Sequence, residues 1–240
     1  MSRQSPVASR QSHATIRIAV LDYGMGNLRS VEKALERVGA EATITSDPDA
    51  AAAADGLVLP GVGAFPKAMR RIHELGLDRL IGERLAAGTP VLGICLGFQL
   101  LFESSTELGG ERGLGLVEGE VGELQAPGLK VPHIGWEPVR LERDSELTDG
   151  VEDGTPFYFV HGFTPRPAAG EDVVGTAVHG ERFACAIARP PVYGVQFHPE
   201  KSSAAGLRLL ENFAGICSQG TSRLNSGGAR LRPSASASQA

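Results

Sequence analysis

The stretch Ile16–Gly39, IRIAVLDYGMGNLRSVEKALERVG, decides the fold. Ile16–Leu21 is a short, β-branched run with few polar residues, the pattern of a parallel strand buried on both faces. Asp22–Asn27 is a glycine-rich turn. Leu28–Val38 then sets Leu28, Val31, Ala34, Leu35 and Val38 on one helical face, and Gly39 stops the helix.

The same rhythm continues. Glu41–Thr45 reads as a second strand, Gly56–Leu59 as a third ended by Pro60, and Ala64–Leu85 as one or two helices. Pro90–Ile94 is a fourth strand, and Leu96–Glu103 starts a helix. Alternating strands and helices predict an α/β fold with a mostly parallel central sheet flanked by helices. Beyond Gly113 the pattern changes. Gly113–Leu141 is broken by Gly and Pro, Phe157–Val160 and Val173–Val178 read as strands, and Phe183–Ala188 with Val192–Phe197 reads as a hairpin-like pair. The second half is therefore expected to add an antiparallel extension, closed by a final helix over Ser203–Ile216.

The 240 residues, 42% hydrophobic, suit one large domain. It is expected over residues 15–217, between polar tails (1–14 and 218–240) expected to be disordered. The first tail lacks the apolar stretch of a secretory signal. A net charge of −5 argues against a nucleic-acid surface. No apolar run approaches the roughly 20 residues that span a bilayer. Three cysteines, Cys95, Cys185 and Cys217, make no disulfide framework and fit a cytoplasmic protein.

Cys95 lies between Gly93 and Gly97, after a strand and before a helix, as a nucleophile on an elbow does. His198 and Glu200 flank Pro199 just past another strand. Side chains two apart on an extended segment share a face, and Pro199 keeps the residue before it out of a helix. Cys95 would attack as thiolate, His198 would move the proton, and Glu200 would fix the histidine tautomer. A surface turn is the plainer reading of His198–Glu200 alone. Pro60–Gly63 follows a third strand. Gly61 and Gly63 permit unusual backbone angles, so the N–H groups of Val62, Gly63 and Leu96 are candidate oxyanion donors. A plain tight turn and a phosphate loop are the competing readings, but no Gly-Lys-Ser/Thr follows. No metal-ligand spacing is visible, and no metal is expected.

GICLGFQ around Cys95 and GVQFHPE before Lys201, in that order, resemble the class I (triad) glutamine amidotransferases. Six segments resemble more closely its branch of glutaminase subunits of imidazole glycerol phosphate synthases. They are DYGMGN (22–27), PGVGAF (60–65), GICLGFQLLF (93–102), PHIGW (132–136), YFVHGF (158–163) and GVQFHPEKS (194–202). The resemblance runs from about Ile16 to Ile216.

It implies a flavodoxin-like sheet and hydrolysis of glutamine through a γ-glutamyl thioester. It implies a heterodimer in which ammonia crosses an internal channel to a (β/α)8-barrel cyclase subunit. The cyclase would convert a phosphoribulosyl-formimino carboxamide ribonucleotide to imidazole glycerol phosphate and an aminoimidazole carboxamide ribonucleotide, in histidine biosynthesis. No organic cofactor is implied. By motif, Gln99 would contact the substrate amide region and Glu107 its α-amino group, with Gly61, Gly162 and Phe163 completing the substrate site. Asn27, Trp136 and Lys201 would face the cyclase. His161 reads as structural or interfacial, since it lacks a neighbouring carboxylate.

Two positions depart from the family pattern. Gly162 stands where Ser or Thr is expected, and Glu137 where Asn is expected, at the ammonia exit. The rival readings are an amidotransferase subunit of another pathway, a stand-alone γ-glutamyl hydrolase and a non-catalytic module. DYGMGN and PHIGW argue against the first. The joint presence of Cys95, His198 and Glu200 argues against the last.

Overall fold

A computed structural model describes residues 15–227, with side chains through residue 220. The tail at 1–14 and residues 228–240 lie outside the described residues. In chain order the elements are β1 (Arg17–Leu21), α1 (Leu28–Arg37), β2 (Glu41–Thr45), α2 (Pro48–Ala52), β3 (Gly56–Gly61), α3 (Phe65–Glu74), α4 (Leu77–Ala86), β4 (Val91–Cys95) and α5 (Leu96–Leu100). There follow β5 (Phe102–Ser105), β6 (Glu111–Arg112), β7 (Val117–Glu123), β8 (His133–Pro138), β9 (Arg140–Leu141), β10 (Pro156–His161), β11 (Phe163–Pro167), β12 (Val173–His179), β13 (Glu181–Arg189), β14 (Val192–Val195) and α6 (Ser203–Gly227).

Eight strands form one sheet in the order β2-β1-β3-β4-β14-β13-β12-β9. From β2 to β14 neighbours run parallel, and from β14 to β9 antiparallel. The expected mostly parallel sheet with an antiparallel extension is what forms. Side chains of β1 alternate between the two cores. Ile18 and Val20 pack with Val31 and Leu35 of α1 and with Leu209 and Phe213 of α6. Ala19 and Leu21 pack with Met69 of α3, Leu80 and Ile81 of α4 and Phe98 of α5. A strand covered on both faces must be apolar at every position, which is why IRIAVL carries no simple alternation. A four-stranded sheet (β11-β7-β5-β6) and a two-stranded ribbon (β10-β8) complete the second half.

The structure corrects the sequence reading at four places. Pro60 does not end β3; it pairs with Ile94 and the strand reaches Gly61. β1 pairs with β3 only as far as Val58, so on that side the missing proline N–H is not needed. The helix after Cys95 stops at Leu100, and Phe102–Ser105 turns into β5. The backbone N–H groups of Leu114 and Leu116 close on the carbonyls of Leu100 and Leu101, which ends the helix. Elements α2 and β11 were not expected. Pro48 starts α2 and the Asp47 side chain caps it. Finally, α6 runs to Gly227, past the helix end expected at Ile216. Gly220 lies over the Gly88–Pro90 turn, which gives the continued helix a surface to pack on.

Candidate active site

The strands β3, β4 and β14 end together at their carboxyl ends, where α/β sheets open a crevice. Cys95 is the last residue of β4 and precedes α5. Its φ of 55° and ψ of −110° make the sharp turn that stands a side chain clear of the backbone. Both flanking glycines are required by space. A Cβ at Gly97 would lie 1.7 Å from the Leu59 carbonyl oxygen, and one at Gly93 2.7 Å from the Gly97 oxygen.

His198 follows β14, the neighbour of β4. Its Nδ1 lies 2.8 Å from Glu200 Oε1, and both side chains are almost wholly buried. Its backbone N–H donates to the Tyr158 carbonyl at 2.9 Å, and its carbonyl accepts from Ser202 Oγ at 2.7 Å. The remaining ring nitrogen, Nε2, is buried, and with Nδ1 taken by Glu200 it is the atom left to interact with Cys95. Burial alone would push the His198 pKa down. The hydrogen bonds and negative charge of Cys95 and Glu200 outweigh it and raise the pKa to about 9. An imidazolium beside Cys95 is the counter-charge that a thiolate needs. The structure thus brings together the three expected catalytic residues.

The Pro60–Gly63 turn lies beside them. Gly63 has φ 117°, as expected of an unusual backbone. Gly61 does not: it is a strand residue paired with Cys95. It must be glycine because a Cβ would lie 1.9 Å from the Tyr23 hydroxyl, which donates to the Pro60 carbonyl. A cavity of about 270 Å³ opens here, lined by Val62, Gly63, Cys95, Leu96, Gln99, Glu107, Val160, His161, Gly162 and Phe163. Gln99 Nε2 donates to the Phe163 carbonyl at 2.9 Å and to Gln196 Oε1 at 3.0 Å, so both its amide hydrogens are committed within the protein. Glu107 accepts the Phe65 N–H at 2.8 Å.

A model of the family "Glutamine amidotransferase class-I" matches residues 19–216. The chain belongs to the class-I glutamine amidotransferases. A relative in Moorella thermoacetica, named imidazole glycerol phosphate synthase subunit HisH, is 52% identical over 82% of this chain and 93% of its own. One of the same name in Aquifex aeolicus is 49% identical over 82% and 96%. The PurLQS structure from Thermotoga maritima shares the fold, with a TM-score of 0.65 and 20% identity over 84% of this chain and 99% of that one.

In this amidotransferase two site residues escape sequence reasoning. Gln196, fully buried, links Gln99 to Cys95, its Nε2 lying 3.8 Å from the sulfur. The signal was GVQFHPE itself, where a glutamine interrupts a buried strand end. Tyr23 props the Pro60 carbonyl, and burial raises the pKa of its hydroxyl. Gly162 has room for a side chain; a Cβ would meet nothing closer than 3.6 Å.

The proposed interface residues lie on and beside the β8–β10 ribbon. Trp136 pairs with Tyr158 and Ile134 with Val160. Trp136 is 49% exposed, Ile134 57%. Lys201 Nζ sits 5.9 Å from the centre of the Tyr158 ring. Asn27 precedes α1, which packs against the turn at Pro199–Lys201. Glu137 does not join this face. It lies on the opposite one with His133 and His179. His161 donates or accepts only neutral contacts (Phe163 carbonyl 2.9 Å, His133 Nδ1 3.4 Å), and burial lowers its pKa to about 4.

Proposed function

We propose that Cys95, His198 and Glu200 hydrolyse glutamine to glutamate and ammonia. Cys95 attacks the side-chain amide carbonyl, and His198, already protonated, donates to the departing ammonia. The γ-glutamyl thioester is then hydrolysed by water activated by the now neutral His198. Glu200 holds the ring through Nδ1 in both steps. The N–H groups of Val62, Gly63 and Leu96 stabilise the oxyanion. Glu107 receives the α-amino group, and Gln99 positions Phe163 at the cavity wall.

The ammonia passes to a (β/α)8-barrel cyclase, with which this chain makes an imidazole glycerol phosphate synthase of histidine biosynthesis. Ammonia in water is protonated at neutral pH, so a dry path preserves its nucleophilicity. The names of the close relatives support this partner. The observation that carries the reading is on β10. Tyr158 and Val160 turn side chains toward the exposed face, while the Tyr158 carbonyl accepts from His198 N–H (2.9 Å) and the Val160 carbonyl lies 3.6 Å from Cys95 Sγ. A partner seated on Trp136 and Tyr158 touches the backbone that holds both catalytic groups. Three cysteines, all buried, suit a reducing cytoplasm. Among the described residues no helix is long and apolar enough to cross a membrane.

The test is the glutaminase rate of the chain alone, with the cyclase, and with the cyclase plus its nucleotide. A low rate that rises strongly with both additions supports the proposal. A high rate without a partner favours a stand-alone hydrolase.

A further inference from the structure

Behind the ribbon, on the face away from Trp136, three side chains converge. His133 and Glu137 project from β8 and His179 from the end of β12. One ligand atom from each lies within 4.8 Å of the other two. The His133 and His179 rings stack, centroids 4.0 Å apart and 16° from parallel.

The hydrogen bonds around them fix the tautomers. His161 Nδ1 lies 2.9 Å from the Phe163 carbonyl, so Nδ1 carries the proton and Nε2 is an acceptor. His133 Nδ1, 3.4 Å from that Nε2, must then be the donor. In the neutral ring this leaves the His133 Nε2 lone pair facing Glu137 Oε1 at 3.6 Å. His179 Nε2 donates to the Lys130 carbonyl at 3.0 Å, so its Nδ1 is likewise a lone pair. Three acceptor-bearing side chains thus bring ligand atoms within 4.8 Å of one another, and each histidine has its other nitrogen anchored as metal-ligating histidines do. This is a partly open two-histidine, one-carboxylate donor set, suited to zinc and neighbouring divalent transition ions rather than to magnesium or calcium.

We propose that His133, Glu137 and His179 bind a zinc-class divalent ion, tying β8 to β12. The ion takes the lone pairs of His133 Nε2 and His179 Nδ1 and one Glu137 oxygen, with a fourth position open to solvent. The histidine relay through His161 connects it to the Phe163 carbonyl in the wall of the glutamine cavity. The sequence showed none of this, because His179 lies far from His133 along the chain and only the fold brings them together. Glu137, one of the two departures from the family pattern, thereby acquires a role.

The test uses the full chain with Cys95→Ala, which removes the catalytic thiol as a competing ligand. Zinc alone is the probe, measured by elemental analysis and chelator competition. One zinc per chain is expected, with affinity reduced more than about tenfold by His179→Ala and by the near-isosteric Glu137→Gln. In chain labelled with ¹⁵N-histidine, zinc should shift His133 Nε2 and His179 Nδ1 and leave His198 unmoved. No retained zinc, unchanged affinity in Glu137→Gln, or shifts centred on His198 would overturn the site.

Discussion

The two places where strands meet the catalytic groups are built in opposite ways. The pair β4–β14 is buried throughout, and it holds Cys95 and His198 by steric fit and by strand pairing. The ribbon β8–β10 buries one face and leaves Ile134 and Trp136 in solvent on the other. The first region is complete within this chain. The second is not, since monomeric proteins seldom leave such residues clustered without a use for them. On the proposed reading, chemistry is supplied from inside and its control from a cyclase seated outside, with β10 as the strand that would touch both.

The sharpest separation of the two regions comes from Cys95→Ala. Glutamine use should fall about 10³-fold or more, whereas synthesis from added ammonia by the complex should continue. Loss of the ammonia-dependent reaction as well would show that the regions are not separable. Next in size is the ribbon. Trp136→Ala should weaken cyclase binding by about 2 kcal/mol, roughly 30-fold, measured by titration, with the partner-free glutaminase rate unchanged.

The elbow can be broken sterically. Gly97→Ala must displace the Leu59 carbonyl, a close approach of backbone on backbone. A loss of about 1–3 kcal/mol or more is expected, read as a melting temperature lower by about 2–4 °C per kcal/mol. An unchanged melting temperature would mean that the turn at Cys95 is looser than its angles indicate.

The smaller effect is electrostatic. His198 has its folded pKa raised from 6.5 to about 9. Its contribution to stability is therefore complete below about pH 6.5 and is lost as pH rises through 9. Denaturation midpoints should decline over that window. Glu200→Gln, which removes one source of the shift, should flatten the decline.

What the sequence revealed, and what it hid, follow the same division. IRIAVL, the glycines at 93 and 97 and the HPE segment are legible because sterics or burial leave few residue choices. Cys95, His198 and Glu200 could be read for that reason. Pro60 misled, since whether a strand tolerates proline depends on which neighbour pairs there, and β1 had already ended its pairing at Val58. Phe102 misled too, because it reads equally well on a helix or a strand and long-range closure at Leu114–Leu116 decided it. Gln196 left only the weak signal of a glutamine in a buried strand end, and the proximity of His133, Glu137 and His179 was invisible because it arises from contacts between distant segments.

The most direct measurement is the mass of the chain in the cyclase complex, quenched in acid during glutamine turnover and digested. The account predicts one γ-glutamyl group on the peptide containing Cys95, absent in Cys95→Ala and scarce without the cyclase. A γ-glutamyl adduct on another residue, or full labelling of Cys95 in the chain alone, would contradict it.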